Sequence, residues 1–386
     1  MRPQWQTIFV SGGAGYIGSH CILELLHQDY EVIAVDNFVN SVDENGEAIS
    51  LKKVRQITGR EVTFYQCDLL DKAKLDHIFS QHSIDCVIHF AAMKAVGESM
   101  KNPLLYYQNN LISAMNLLNV MKKYGCQQLI FSSSCTVYGN PKFLPITEEH
   151  PVGDVTNVYG KTKYFVEEIL KDISTAEEGW NIISLRYFNP VGAHPSGLIG
   201  EDPTKPFTNL MPYMAQVALR KKNVLTIFGG DYDTVDGTDL NKNVRTSTVI
   251  LGIRDYIHIM DLASGHIAAL KKLQDEHLTL KVYNLGTGRG TSVLELIHTF
   301  EEVSGKSIPY KIEGRREGDI VSMYANTDLA RKELNWKTKY TLKQMCEDFW
   351  KWQCMNPNGY KSFSSESCTV PPISQNHNIK TLNGHS

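Results

Sequence analysis

A glycine turn set between a strand pattern and a helix pattern restricts this chain more than any other feature in it. Thr7-Ile-Phe-Val-Ser11 is short, apolar and β-branched, which marks a strand, and it leads directly into Gly12-Gly-Ala-Gly15-Tyr-Ile-Gly18. Ser19-His-Cys-Ile-Leu-Glu-Leu-Leu26 then carries apolar residues at helical spacing. Glycines in that position let the backbone bend sharply and approach a pyrophosphate, whose charge the helix N-terminus stabilises. About 20 residues further on, Glu31-Val-Ile-Ala-Val-Asp36 reads as a second strand that ends in an acid. Such a carboxylate accepts from both hydroxyls of an adenosine ribose and repels a 2′-phosphate, so the pattern favours NAD over NADP.

More strand-like runs follow at regular intervals. Val62 to Cys67 ends at Asp68, Cys86 to Ala91 runs into Ala92-Met-Lys94, and Gln128 to Phe131 runs into Ser132-Ser-Ser134. Helical patterns at 72–81 and 109–124 separate them. The alternation predicts an α/β fold, a Rossmann-like doubly wound parallel sheet with ligands beyond the strand C-termini. Asp68, Ala91, Lys94, Ser134 and Tyr159 then gather along one edge. Asp68 serves equally well as a helix N-cap or as a contact to adenine.

Tyr159-Gly-Lys-Thr-Lys163 follows downstream. On a helix, positions i and i+4 share a face, so Lys163 stands one turn from Tyr159. An ammonium beside a phenol favours the phenolate and draws its pKa down from about 10. Tyr159 is therefore a candidate proton acceptor from an alcohol, with the Ser134 hydroxyl steering the same oxygen.

At 386 residues the chain suits one two-lobed unit. Residues 1–187 read mainly as the dinucleotide-binding lobe and 188–360 mainly as a smaller substrate lobe, with the chain crossing between them. The second lobe is expected to contain a helix over 209–221 and strands at 224–228 and 281–285. A long amphipathic helix is expected from Asn102, the N-cap, with Pro103 in its first position, to Lys123. Its apolar face either forms a dimer seam with the Tyr159 helix or is buried within one subunit. The 39 basic and 42 acidic residues nearly balance, giving −3, and no basic block suits nucleic acid. No apolar run is long enough for a membrane span, and the first strand, near Thr7, leaves no room for a signal peptide. The 8 cysteines are scattered and the 13 histidines form no metal-ligand spacing, a cytosolic profile with no metal site expected. His89 and His258 read as strand residues.

With these residues in view, the chain resembles the extended short-chain dehydrogenase/reductase family, and within it the UDP-glucose (UDP-galactose) 4-epimerases. The resemblance runs from about Thr7 to Tyr360 and is carried by the glycine turn and several longer strings. They include His89-Phe-Ala-Ala-Met-Lys-Ala-Val-Gly97, Ser132-Ser-Ser-Cys-Thr-Val-Tyr-Gly139 and Arg186-Tyr-Phe-Asn-Pro-Val-Gly-Ala-His194. Asn209-Leu-Met-Pro-Tyr213, Arg254-Asp-Tyr-Ile-His258 and Arg315-Arg-Glu-Gly-Asp319 complete the set. The resemblance implies NAD contacts at Gly12, Gly15, Tyr16, Ile17, Gly18, Asp36, Asn37, Asp68, Leu69, Phe90, Lys94 and Asn109, together with Tyr159, Lys163 and Tyr187. It implies UDP-sugar contacts at Lys94, Ser134, Asn189, Asn209, Leu210, Thr226, Phe228, Arg254, Arg316 and Asp319. Arginine forks suit a diphosphate, although a lone arginine is equally often a surface ion-pair partner.

The implied reaction is reversible 4-epimerisation of UDP-galactose and UDP-glucose in galactose metabolism, through a 4-keto sugar, by a homodimer that keeps its NAD. The family's sugar-size position falls on Met323, intermediate in bulk, which leaves N-acetylated substrates open. In related 4,6-dehydratases, acid/base carboxylates follow the active-site hydroxyl; here Cys135 and Thr136 stand there. A non-catalytic NAD sensor of this fold is a further reading, opposed by the presence of Tyr159, Lys163 and Ser134. Two segments depart from the family pattern: an insertion at 239–251, just before Arg254, and a Ser/Asn/Pro-rich tail at 361–386, expected to be disordered.

Overall fold

Side chains of a strand point alternately to opposite faces, so strands apolar on both sides require cover on both sides. The structure, a computed structural model, describes residues 5–202, 209–228, 252–314 and 320–360. The 239–251 insertion, Arg316, Asp319 and the 361–386 tail lie outside these residues. Seven strands form the main sheet: β1 (Thr7–Ser11), β2 (Glu31–Asp36), β3 (Thr63–Gln66), β4 (Cys86–His89), β5 (Gln128–Ser134), β6 (Asn181–Tyr187) and β7 (Leu280–Leu285). Their order is β7-β6-β5-β4-β1-β2-β3, and every neighbouring pair is parallel. Ile8 and Val10 join a core covered by helices Tyr16–His27 and Ile259–Asp275. Phe9, between them, joins the opposite core, covered by Lys72–Gln81, Ser113–Lys123 and Val158–Ala176. The fold is thus the doubly wound Rossmann-like sheet the alternation predicts, and its order reverses between β1 and β4, where ligands of such sheets bind.

A separate core gathers Met214, Phe300, Phe349, Trp350 and Trp352 from helices Leu210–Ala218, Val293–Ser304 and Leu342–Met355. Leu225–Phe228 pairs with Tyr310–Glu313. Ile253–Arg254 lies between Thr291–Ser292 and Ser322–Met323. The observed helix over the 209–221 region is shorter than its apolar pattern, ending at Ala218.

The long helix departs from expectation in two ways. It runs from Pro103 to Lys123, but Gln108–Ile112 forms a π turn inside it. Asn102 precedes Pro103 as expected, yet its side chain makes no capping bond. That residue also ends the preceding helix, Val96–Lys101, so its backbone serves two abutting helices and leaves the extended geometry of an N-cap. Among the described residues no helix is long and apolar enough to cross a membrane.

Candidate active site

The glycine turn closes over β2, with Gly12 N and Gly13 N donating to Val35 O at 2.8 and 3.1 Å. A Cβ at Gly12 would lie 2.8 Å from Ala91 N, and one at Gly18 only 2.2 Å from Gly12 O. Both positions therefore exclude any side chain, and the first also has a φ of +70°. Asp36 follows from β2 and accepts from Ala14 N at 3.1 Å, Phe38 N at 2.9 Å and Ser41 Oγ at 2.8 Å. Burial raises its pKa, and those bonds work in the other direction. Asp68 accepts from Leu70 N at 2.8 Å and from Asn37 Nδ2 at 3.0 Å. Asp71, not Asp68, caps the helix that follows.

These groups line a cavity of about 600 Å³. Its walls include Gly12, Gly15, Tyr16, Ile17, Gly18, Asp36, Asn37, Asp68, Leu69, Phe90, Lys94, Asn109 and Asn209. A backbone cradle, a helix N-terminus and a carboxylate at the end of the second strand fit a dinucleotide.

Tyr159, Lys163 and Ser134 stand further along the same sheet edge, outside that lining. Asn157 caps the Tyr159 helix by accepting from Gly160 N at 2.8 Å, and Tyr159 N donates to Ser99 Oγ at 3.1 Å. Ser134, at the end of β5, accepts from Thr136 N at 3.3 Å and stands near enough to the Tyr159 phenol to draw its pKa down. Lys163 is 4% exposed; its Nζ donates to Ser132 O at 2.5 Å and lies 4.9 Å from the centre of the Phe131 ring. The electrostatics correct one expectation. Burial pushes the Tyr159 phenol up to about 12, against the pull of Ser134 and with a small push from Cys135. Burial likewise brings Lys163 down to about 7, opposed by Glu167. In the chain by itself the lysine does not pull the phenol towards neutrality, because the same burial favours the uncharged form of both groups.

Tyr187 ends β6, and its hydroxyl meets His266 Nε2. Asn189 Nδ2 donates to Asp255 O at 3.0 Å. Leu210 opens its helix, and Thr226 and Phe228 lie on the strand paired with Tyr310–Glu313. Arg254 pairs in register with Met323, placing the candidate phosphate clamp beside the sugar-size position. Its Nη1 donates to Ile253 O at 2.9 Å. His89 ends β4 and bonds Ser11 Oγ, and His258 ends the strand Tyr256–His258 and faces Asp348, so both are strand residues as read.

Several supporting residues were not singled out from the sequence. Asn110, in the π turn, bonds the backbone of Met93 on both sides and donates to Thr162 Oγ1 at 2.9 Å. Thr162 in turn donates to Tyr159 O at 2.7 Å, which ties the Lys94 loop to the Tyr159 helix. Glu167, on the Tyr159 helix, accepts from Arg186 Nε at 3.0 Å, Arg186 Nη2 at 2.6 Å and Ser184 Oγ at 3.0 Å. A sequence signal was present in both cases, as two adjacent asparagines in a helix and as an acid four residues after Lys163, on the same helix face.

Comparison with known proteins bears on this arrangement. The model of the GDP-mannose 4,6 dehydratase family matches residues 9–349. The UDP-glucose 4-epimerase of Bos taurus is 51% identical over 92% of this chain and 98% of its own length. That of Bacillus subtilis is also 51% identical, over 92% of this chain and 99% of its own length. The crystal structure of UDP-glucose 4-epimerase from Bifidobacterium longum, in complex with NAD+ and UDP, superposes with a TM-score of 0.84. It has 49% identity and covers 92% of this chain and all of that one. The chain belongs to the extended short-chain dehydrogenase/reductase family, in its UDP-glucose 4-epimerase branch.

Proposed function

We propose that this chain interconverts UDP-galactose and UDP-glucose at C-4 with a retained NAD, using Tyr159 as the proton acceptor. The observation that carries the reading is Tyr159 with Lys163 one turn on and Ser134 near enough to draw the phenol's pKa down, at the edge of a sheet whose glycine turn and Asp36 fit a dinucleotide. Gly12, Gly15 and Gly18 give the pyrophosphate close approach, and Asp36 faces the adenosine ribose. Bound NAD supplies the acceptor, and then the donor, of the C-4 hydride. Tyr159 takes and returns the proton of the 4-hydroxyl, Ser134 orients that oxygen, and Lys163 supplies positive charge beside them. Asn189, Asn209, Leu210, Thr226, Phe228, Arg254, Arg316 and Asp319 are assigned to the UDP moiety. A firm anchor there lets the sugar ring present either face without escaping.

The relatives at about half identity are epimerases by name, which supports isomerisation, as does the absence of carboxylates at Cys135 and Thr136. We assign the chain to the cytosol and to a homodimer. The long helix and the Tyr159 helix leave Leu104, Ile112, Met115 and Phe165 exposed, and Tyr107 and Phe165 meet at 6.1 Å, an apolar face suited to a second copy. Light scattering after size exclusion reads that mass directly.

The test is incubation of purified protein with UDP-galactose and no added NAD. Formation of UDP-glucose is expected; no conversion, even with NAD supplied, overturns the reading. Tyr159→Phe should lower turnover by about 100-fold to 10,000-fold while UDP binding persists.

A further inference from the structure

We infer that Glu201 is the residue that closes the cavity and retains the dinucleotide, by holding Lys94 from one lobe and Asn209 from the other on a single carboxylate oxygen. This rests on the dinucleotide reading above. Lys94 Nζ lies 3.0 Å from Glu201 Oε1, and Asn209 Nδ2 donates to the same atom at 2.8 Å. The Glu201 side chain is 8% exposed and that of Lys94 42%, so the carboxylate is set inward and the ammonium sits at the rim. All three residues line the cavity.

Both sides of this contact are braced. On one side, Asn110 bonds Met93 N at 2.8 Å and Met93 O at 3.0 Å, next to Lys94. On the other, Gly200 N donates to Tyr360 Oη at 3.3 Å, and Tyr360 N donates to Asp202 at 2.5 Å. A Cβ at Gly359 would lie 2.2 Å from Asp202 Oδ1, so the segment carrying Glu201 is pressed against the chain at Tyr360. Two held segments joined by one charged contact must separate for a molecule in the cavity to leave between them. Glu201→Gln keeps size and an acceptor for Asn209 but removes the charge that holds Lys94.

The experiment measures NAD bound per chain in the purified full-length protein, then its release when excess labelled NAD is added, for the natural chain and for Glu201→Gln. We expect stoichiometric NAD in the natural chain and release on the order of tenfold faster in the variant. Raising salt to about 1 M, where the Debye length is ~3 Å, should accelerate release in the natural chain more than in the variant. Equal release rates overturn the proposal, as does weaker UDP binding with unchanged NAD release, which would move Glu201 to the sugar-nucleotide side. A natural chain purified without NAD, and unable to bind it, overturns the dinucleotide reading itself. If Glu201→Gln does not fold, the salt series on the natural chain decides, and release insensitive to salt counts against the contact.

Discussion

Stripping the cofactor should silence Tyr159 as a base. In the chain alone burial holds the phenol at about 12, so at pH 8 only about 1 in 10,000 molecules carries the phenolate. Lys163, held at about 7 by burial, is mostly neutral at that pH and offers little help. A single positive charge about 4 Å away, at an effective dielectric near 20, is worth about 4 kcal/mol, or about 3 pKa units. That brings the phenol to roughly 9, and a phenolate so favoured raises the affinity of Lys163 for its own proton, since neighbouring groups titrate as a pair. Binding the nicotinamide cation should therefore raise the phenolate fraction at pH 8 from about 1 in 10,000 to about 1 in 10. The assay is the near-ultraviolet phenolate absorbance as a function of pH, taken as the difference between the natural chain and Tyr159→Phe, with and without NAD. The expected result is a Tyr159 transition near 12 without cofactor and at least about 3 units lower with it. A full phenolate signal at pH 8 in cofactor-free protein would refute the argument that burial dominates.

Three further outcomes are expected. Lys163 has a folded pKa of about 7 against 10.5 for an exposed lysine, so between those values the unfolded chain holds a proton that the folded chain lacks. Stability of the cofactor-free chain should rise with pH across that window by up to about 5 kcal/mol, and Lys163→Met should flatten the slope in urea unfolding at a pH series. Gly18→Ala places a carbon 2.2 Å from Gly12 O; purified protein should lose its NAD while circular dichroism stays unchanged, and normal NAD content would contradict the steric argument. Glu167→Gln leaves Arg186, 6% exposed, with no full counter-charge; a loss of about 3 kcal/mol is expected in urea unfolding, and a loss below about 0.5 kcal/mol would show that the pair is dispensable.

What the sequence disclosed was local. A strand, a glycine turn and a helix follow one another within a few residues, and so do Tyr159 and Lys163, so periodicity and spacing suffice to place them. The strand alternation likewise implied a parallel sheet with chemistry at one edge. What stayed hidden depends on partners far along the chain. Asn110 acts through Thr162, Glu167 through Arg186, and Glu201 through Lys94, each pair joined only once the sheet has ordered its strands. Spacing placed Lys163 on the same face as Tyr159 but could not show its ammonium directed to the Ser132 carbonyl. The ionisation of the pair followed from depth in the fold, a property that no local pattern carries.

The π turn at Gln108–Ile112 has a consequence for how this helix tolerates change. A π turn admits one residue more than an α turn, and one residue corresponds to about 100° of rotation around a helix. The two halves of the Pro103–Lys123 helix are therefore out of phase with an unbroken α-helix by roughly that angle. Around it Asn110 points inward to Thr162, while Leu104, Ile112 and Met115 remain outside. Deleting a single residue from the turn would restore a regular helix and rotate one half against the other. Either the inward asparagine or the outward apolar stripe would then lose its bearing, so this short stretch should accept substitutions far more readily than changes in length.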